Sequence, residues 1–322
     1  MNMLNKQVIT TATASLVCFA TIQVGSGKPP AGGAGHMQRG IDLAQQKHYD
    51  AAVAEFTKAI EANPKDPRGY MNRGTAYRQG ARAAEAAGDA AGAATRYTAA
   101  VTDFSKEIEL APKNASGYLE RGQTEVMQNQ FDAALADLDK AVQLKPDQAV
   151  SYKFRGFAEI GLTKWDRAVT DFTTAIEKNP NDPQIYDRRA WANRNLKNYD
   201  AAVADYTAII EKNSADAEPL VKRGATYVSM TQYEKAIADY EAALKLKPDD
   251  HDTVQRLQYA HAMLAAKNAP SPTARPTPEE APGLITPLNV GIAIAVLVII
   301  AVVARLVTRG KSEGEASSGR IR

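Results

Sequence analysis

Along most of this chain apolar residues recur at three- and four-residue intervals, the period of one helix face, and the phase resets at regular breaks. Residues 149–182, AVSYKFRGFAEIGLTKWDRAVTDFTTAIEKNPND, show the pattern in one unit. Two amphipathic stretches are joined by a polar turn. Phe172, Ala175 and Ile176 give the second stretch its apolar face. Pro180 stops it, because proline lacks an amide hydrogen and clashes with the preceding turn. Gly156 and Ala168 are small where two antiparallel helices must approach closely. A hairpin of this kind has one apolar face too many to stand alone, so it predicts neighbours of its own kind.

The neighbours are present at a fixed step of 34 residues. Gly156 is matched by Gly122, Ala190 and Gly224, and Ala168 by Ala134, Ala202 and Ala236. Pro180 is matched by Pro146 and Pro248, with Ser214 the one substitution. Gly40, Ala52, Phe56, Ala59 and Pro64 fit the same frame at the start. A helix–turn–helix unit of this period, with small, Ala, aromatic, Ala and Pro at these offsets, resembles the tetratricopeptide repeat. The resemblance covers six repeats, residues 36–250. It implies an all-α, right-handed superhelical solenoid whose concave groove, lined mainly by the first helix of each repeat, binds other proteins.

One repeat is longer than the rest. Gly74 to Gly122 spans 48 residues, one period plus 14, and the excess falls in the alanine-rich stretch 78–95. Shared between two antiparallel arms it adds about seven residues, close to two turns, to each, so both faces stay in phase and the hairpin extends by about 10 Å. Gly88 and Asp89 are its expected tip, a turn followed by an N-cap. Asp66-Pro67 and Asp182-Pro183 place a capping acid before a first-turn proline. Asp50, Asp132, Asp166, Asp200 and Glu234 open the second helices, where the helix dipole favours negative charge. Residues 251–268 form one more helix with no partner, and Val254, Leu257, His261 and Leu264 are expected to cover the last repeat.

The ends differ in character. Residues 1–27 read as a signal peptide: Lys6, an uncharged apolar run diluted by threonines, then small residues. Residues 28–35 are a flexible linker by composition and 269–282 a proline-rich spacer. No charge occurs in 283–304, so 283–307 predicts a transmembrane helix, since 22 residues span about 33 Å. Arg305, Arg309 and Lys311 follow it, whereas Glu279 and Glu280 precede it. The positive-inside bias puts the tail 308–322 in the cytoplasm and the repeats in the periplasm or an equivalent outer compartment.

Composition removes several kinds of chemistry from consideration. A net charge of +2 over 322 residues gives no reason to expect a nucleic-acid surface, and the single Cys18 allows neither an internal disulfide nor a thiolate metal site. The four histidines, His36, His48, His251 and His261, have no metal-ligand spacing. Neither a catalytic set, a metal site nor a cofactor is expected. An arginine does precede each small residue (Arg39, Arg73, Arg121, Arg155, Arg189, Arg223), and each second helix carries an acid (Glu55, Asp103, Asp137, Asp171, Asp205, Asp239). Both places lie at similar distances from the turn, which predicts an internal ion-pair ladder; an anion-binding row of arginines is the alternative.

The resemblance places the groove at Met71, Thr75 and Arg78, then Leu119, Gln123 and Val126, and next Lys153, Phe157 and Ile160. It continues through Asp187, Trp191 and Arg194 to Val221, Ala225 and Val228. The lysine–asparagine clamp by which some family members hold chaperone tails is not reproduced, since Met37, Ile41 and Glu120 stand in its places. Lys153, Phe157, Trp191 and Arg194, with Gln123 and Asp187 beside them, are the expected partner-binding patch, two aromatic faces with two cations. The function that follows is a non-enzymatic scaffold tethered through 283–307 that holds a protein or peptide in its groove. A tail-anchored cytosolic receptor and a non-catalytic subunit of a membrane-bound enzyme complex remain open.

Overall fold

The structure, a computed structural model, describes residues 32–269. Among them the chain forms helices and no strands. Six hairpins follow one another: α1 (Gly33–Gln45) with α2 (Tyr49–Ala62), α3 (Pro67–Ala86) with α4 (Ala90–Leu110), and α5 (Ala115–Met127) with α6 (Phe131–Leu144). Then come α7 (Ala149–Gly161) with α8 (Trp165–Lys178), α9 (Pro183–Asn195) with α10 (Tyr199–Lys212), and α11 (Ala217–Ser229) with α12 (Tyr233–Leu246). A last helix, α13 (His251–Asn268), has no second arm. Each helix packs on the next, so the architecture is an α-helical solenoid. None of the described helices is long and apolar enough to cross a membrane. The signal stretch 1–27, the span 283–307 and the tail 308–322 lie outside the described residues, as do most of 28–35 and 269–282.

The local chemistry repeats with the frame. Asp66, Asn114, Asp182 and Asp216 each accept a hydrogen bond from the amide two residues on and so cap α3, α5, α9 and α11. The turns inside the regular hairpins pass through a left-handed residue, Lys47, Asn129, Thr163, Lys197 or Thr231, with φ between 56° and 64°. The second helices then open on an aromatic residue, Tyr49, Phe131, Trp165, Tyr199 or Tyr233, with the expected acid directly after it.

Within a hairpin, a bulky residue of the second helix sits under the small residue of the first. A Cβ on Gly156 would stand 2.7 Å from the Phe172 ring, so this crossing requires glycine as long as the ring is there. Phe56, Phe104, Leu138, Phe172, Tyr206 and Tyr240 fill this position and are all at most 2% exposed. The hairpins are joined by a second device: Tyr70, Tyr118 and Tyr152 donate their phenol hydrogens to the carbonyls of Pro64, Pro112 and Pro146 in the preceding turn. First helices of successive repeats also meet, α1 with α3, α3 with α5, α5 with α7 and α7 with α9. Between α9 and α11 the backbones approach less closely, and Lys222 bridges to Asp187 at 2.6 Å.

Three places depart from the sequence reading. Helix α1 begins at Gly33, inside the stretch read as linker, because Gly33 packs where a Cβ would come within 3.0 Å of the Ala62 Cβ. The long hairpin has arms of 20 and 21 residues against 13 and 14 in its neighbour, but it does not stand clear. Its arm leans on the first repeat, where Arg96 lies 3.4 Å from Asp50, and its inner face, Ala81, Ala93 and Tyr97, covers Met127. On α13 the buried residues are Thr253 and Ala260, flanked by Val254, Leu257 and Leu264, while His261 is exposed. Residues 253, 257, 260 and 264 form one stripe, and His261 lies about 100° round the helix from Ala260.

Candidate functional site

The arginines and acids of the repeats meet in pairs, one per hairpin. Arg155 Nε and Nη2 donate to the two carboxylate oxygens of Asp171 at 2.6 and 2.7 Å. The same two-point contact joins Arg73 to Asp103, Arg121 to Asp137, Arg189 to Asp205 and Arg223 to Asp239. At the first repeat Arg39 reaches Glu55 at 2.9 Å, with His36 on the same carboxylate at 2.8 Å. Lys58 and His36 hold the Glu55 carboxyl down at about 2. Deeper in the array burial pushes the Asp103 and Asp205 carboxyls up, and their arginines pull against it.

From the second repeat on, each guanidinium has a third contact that the sequence reading missed. Arg73 Nη1 donates to the Thr57 hydroxyl, Arg121 to Ser105, Arg189 to Thr173 and Arg223 to Thr207, while Arg155 donates to the Asp139 carboxylate. These acceptors belong to the preceding hairpin, and the four hydroxyls in turn donate to their own helix. The signal was available: a hydroxyl or acid two residues after each acid of the first five repeats. With its donors spent in both directions, the arginine row is internal wiring, not an anion-binding surface.

The expected partner-binding patch is not assembled as one exposed surface. Lys153 is 7% exposed and its ammonium sits 2.7 Å from Asp182, the residue that caps α9. Phe157 is 2% exposed, with its ring edge-to-face against Phe154 and Phe172. Trp191 is half-buried and packs edge-to-face on Trp165, with ring centroids 4.9 Å apart. Gln123 is buried against Arg78, and Asp187 is paired with Lys222 at 2.6 Å. Successive first helices stand close enough to consume these side chains, and Leu119, Val126 and Ile160 are buried as well.

The groove opens at Arg194, where the backbones of successive first helices approach less closely. A cleft of about 530 Å³ is lined by Arg194 of α9, Ala225 and Val228 of α11, Tyr240 of α12, and Asp252, Gln255, Arg256 and Tyr259 of α13. Tyr259 is 54% exposed, the largest exposure of a bulky apolar residue among the described residues. The Arg194 Nε is buried and has no hydrogen-bond partner. Burial pushes the Tyr240 phenol above its usual range, and the charges of Arg256 and Arg194 oppose that rise. Of the expected binding patch only Arg194 lies here, together with the expected groove positions Ala225 and Val228. Helix α13 read as a lid in the sequence, so its contribution to a cleft wall was not foreseen.

Three further carboxyl groups are buried with one oxygen unbonded: Glu107, Glu125 and Glu159. Burial, assisted by a neighbouring carboxylate (Glu120, Asp137 and Asp171 respectively), raises them to about 8, about 7 and about 8. No group of three or more His, Cys, Asp or Glu side chains placed to hold a metal occurs among the described residues.

Comparison with known proteins agrees with this architecture. A tetratricopeptide repeat model matches residues 37–91, 81–149 and 157–217, and a second model of the same repeat matches 217–250. Among characterised proteins, Hsp70-Hsp90 organizing protein 2 of Arabidopsis thaliana is 45% identical over 40 residues, 12% of this chain and 7% of that protein. Tetratricopeptide repeat protein 36 of Caenorhabditis elegans is 46% identical over 41 residues, 13% of this chain and 23% of its own length. Each match therefore spans one repeat or little more of a different whole. Among solved structures, YrrB, described as a TPR protein with an unusual peptide-binding site, superposes with a TM-score of 0.51 at 22% identity, covering 63% of this chain and 97% of its own. Pseudomonas aeruginosa PilF gives a TM-score of 0.55 at 16% identity, covering 70% and 95%. At these identities the two structures speak to the fold alone. With family-model matches running through all six hairpins, the chain belongs to the tetratricopeptide repeat family.

Proposed function

We propose that the protein is a non-catalytic scaffold that captures a protein or peptide partner in the cleft between α9, α11, α12 and α13. The observation that carries this reading is the contrast along the array. In the middle repeats the polar groups of the first helices are spent on one another, whereas at the C-terminal end Arg194 and Arg256 line an open cleft without a carboxylate partner and Tyr259 is exposed at its edge. YrrB, with its peptide-binding site, lends support by analogy of fold. A photo-reactive amino acid in place of Tyr259, in the full-length protein in its native membranes, is expected to give a discrete adduct that the same probe at exposed Val150 does not. Equal labelling at both positions, or none at Tyr259, refutes the placement.

The same proposal includes a tether. The uncharged stretch 283–304 followed by Arg305, Arg309 and Lys311 supports a membrane span with the tail in the cytoplasm and the repeats in the periplasm or an equivalent compartment. Protease added to intact spheroplasts is expected to digest the repeats and leave a small membrane fragment that contains the tail. Full protection of the repeats refutes this topology and favours a cytosolic, tail-anchored arrangement.

A further inference from the structure

Two arginines occupy the same place in their repeats, four residues after the small residue: Arg78 after Gly74 and Arg194 after Ala190. The array treats them differently. Arg78 is ion-paired with the Glu120 carboxylate, and its Nη1 donates to the Glu120 carbonyl and to Gln123, both at 3.2 Å. All these hydrogen-bond and ion-pair partners come from the following first helix. In the repeat that follows Arg194, the place of Glu120 is taken by Lys222 and that of Gln123 by Ala225. Lys222 is itself committed to Asp187 at 2.6 Å and Glu218 at 2.9 Å. The carboxylate that completes Arg78 is therefore replaced by a cation and a methyl group at Arg194.

What surrounds Arg194 instead is a cleft whose one lining carboxylate, Asp252, is ion-paired with neither Arg194 nor Arg256. The Tyr206 and Tyr240 phenols are within reach of its charge. Arg256 approaches the same Tyr240 from α13. Neither guanidinium is ion-paired with a carboxylate among the described residues. Ala225 and Val228 form an apolar floor, and Tyr259 stands exposed at the edge. The volume, about 530 Å³, is on the scale of a side-chain or small-ligand site.

We propose, resting on the scaffold reading above, that this cleft binds an acidic segment of a partner polypeptide. A partner carboxylate sits between Arg194 and Arg256 in the role that Glu120 plays for Arg78, and an adjacent leucine-like side chain covers Ala225, Val228 and Tyr259. Asp252, the one carboxylate lining the cleft, penalises a run of consecutive acids and so favours a carboxylate next to an apolar residue.

The test is fluorescence anisotropy with the full-length protein in detergent and three labelled peptides: one with separated glutamates beside leucines, its glutamine analogue, and its phosphoserine analogue. The glutamate peptide is expected to bind, to weaken as salt rises, and to lose about tenfold or more in affinity in Arg194→Gln and in Arg256→Gln. Ala225→Glu, which supplies an internal carboxylate, should abolish binding of the glutamate peptide while the circular dichroism spectrum is kept. Equal binding of the glutamine analogue overturns the acidic specificity but leaves the scaffold reading standing. Binding of the phosphoserine analogue alone overturns it in favour of a phosphate ligand. No binding of any of the three, with Tyr259 still cross-linking a partner in membranes, also overturns it, because the cleft is then used by other chemistry.

Discussion

Replacing Glu159 with glutamine should stabilise the protein at neutral pH, and the gain should disappear in mild acid. Glu159 is 6% exposed, its Oε2 has no partner, and it lies beside Asp171, whose two oxygens are already held by Arg155. Burial first, and then the Asp171 charge, raise the Glu159 carboxyl from about 4.5 to about 8, with Arg155 and Arg167 opposing. The folded state thus holds this proton more tightly than the unfolded chain does. Its contribution to stability is complete below pH 4.5 and is lost as the pH climbs towards 8. Each pH step between those values costs about 1.4 kcal/mol, so by pH 7 the loss reaches on the order of 3 kcal/mol. Glutamine keeps the shape, donates to Asp171 and does not titrate; Asn193 shows that a buried amide is accepted at the equivalent place one repeat on. Urea unfolding followed by far-ultraviolet circular dichroism at pH 5, 6, 7 and 8 reads the difference between E159Q and the parent, in which all other titrations cancel. A difference that stays flat with pH, or that favours the parent at pH 8, refutes the assignment of a buried neutral carboxyl.

The ladder predicts that Arg155→Leu, which leaves Asp171 buried and unpaired, costs about 3–5 kcal/mol, while the double change with Asp171→Leu recovers most of it; paired denaturation curves check both. Thr163→Asn should raise stability by about 0.5–1 kcal/mol, since a β-branched residue is poorly suited to φ 58° and Asn129 fills the same turn one repeat earlier; the urea midpoint reports it. Gly156→Ala should lower stability by about 1–3 kcal/mol, because its Cβ would lie 2.7 Å from the Phe172 ring; a shift of less than a few tenths in the same assay would show that the ring can move aside.

What the sequence made legible follows from what repeats. A 34-residue period fixes the phase of every apolar face, so helix order, hairpin lengths and the arginine–acid pairs could be read from spacing. The binding patch could not, because a first-helix position does not say how near the next first helix stands. Lys153 and Phe157 share their register with Asp187 and Trp191, yet the backbones of α7 and α9 approach more closely than those of α9 and α11. That difference arises from side chains on both partners at once. One trace did exist in the chain: Lys222 stands where Glu120 stands in the repeat of Arg121, a cation in place of a carboxylate.

The backward reach of each arginine gives the array a direction. Each of the first five hairpins presents a hydroxyl or carboxylate that its successor's arginine uses, so each joint is the same handshake and length becomes an adjustable property. A second copy of residues 183–216 placed before α11 would find Thr207 waiting for its own Arg189 and would offer a Thr207 to Arg223. The series also carries its own stop. Helix α13 begins in register as a seventh first helix, but the position of the next arginine is Leu257, turned into the apolar cluster with Tyr240 and Ala260. At that register α13 offers no guanidinium to the hairpin before it, and the ladder ends there.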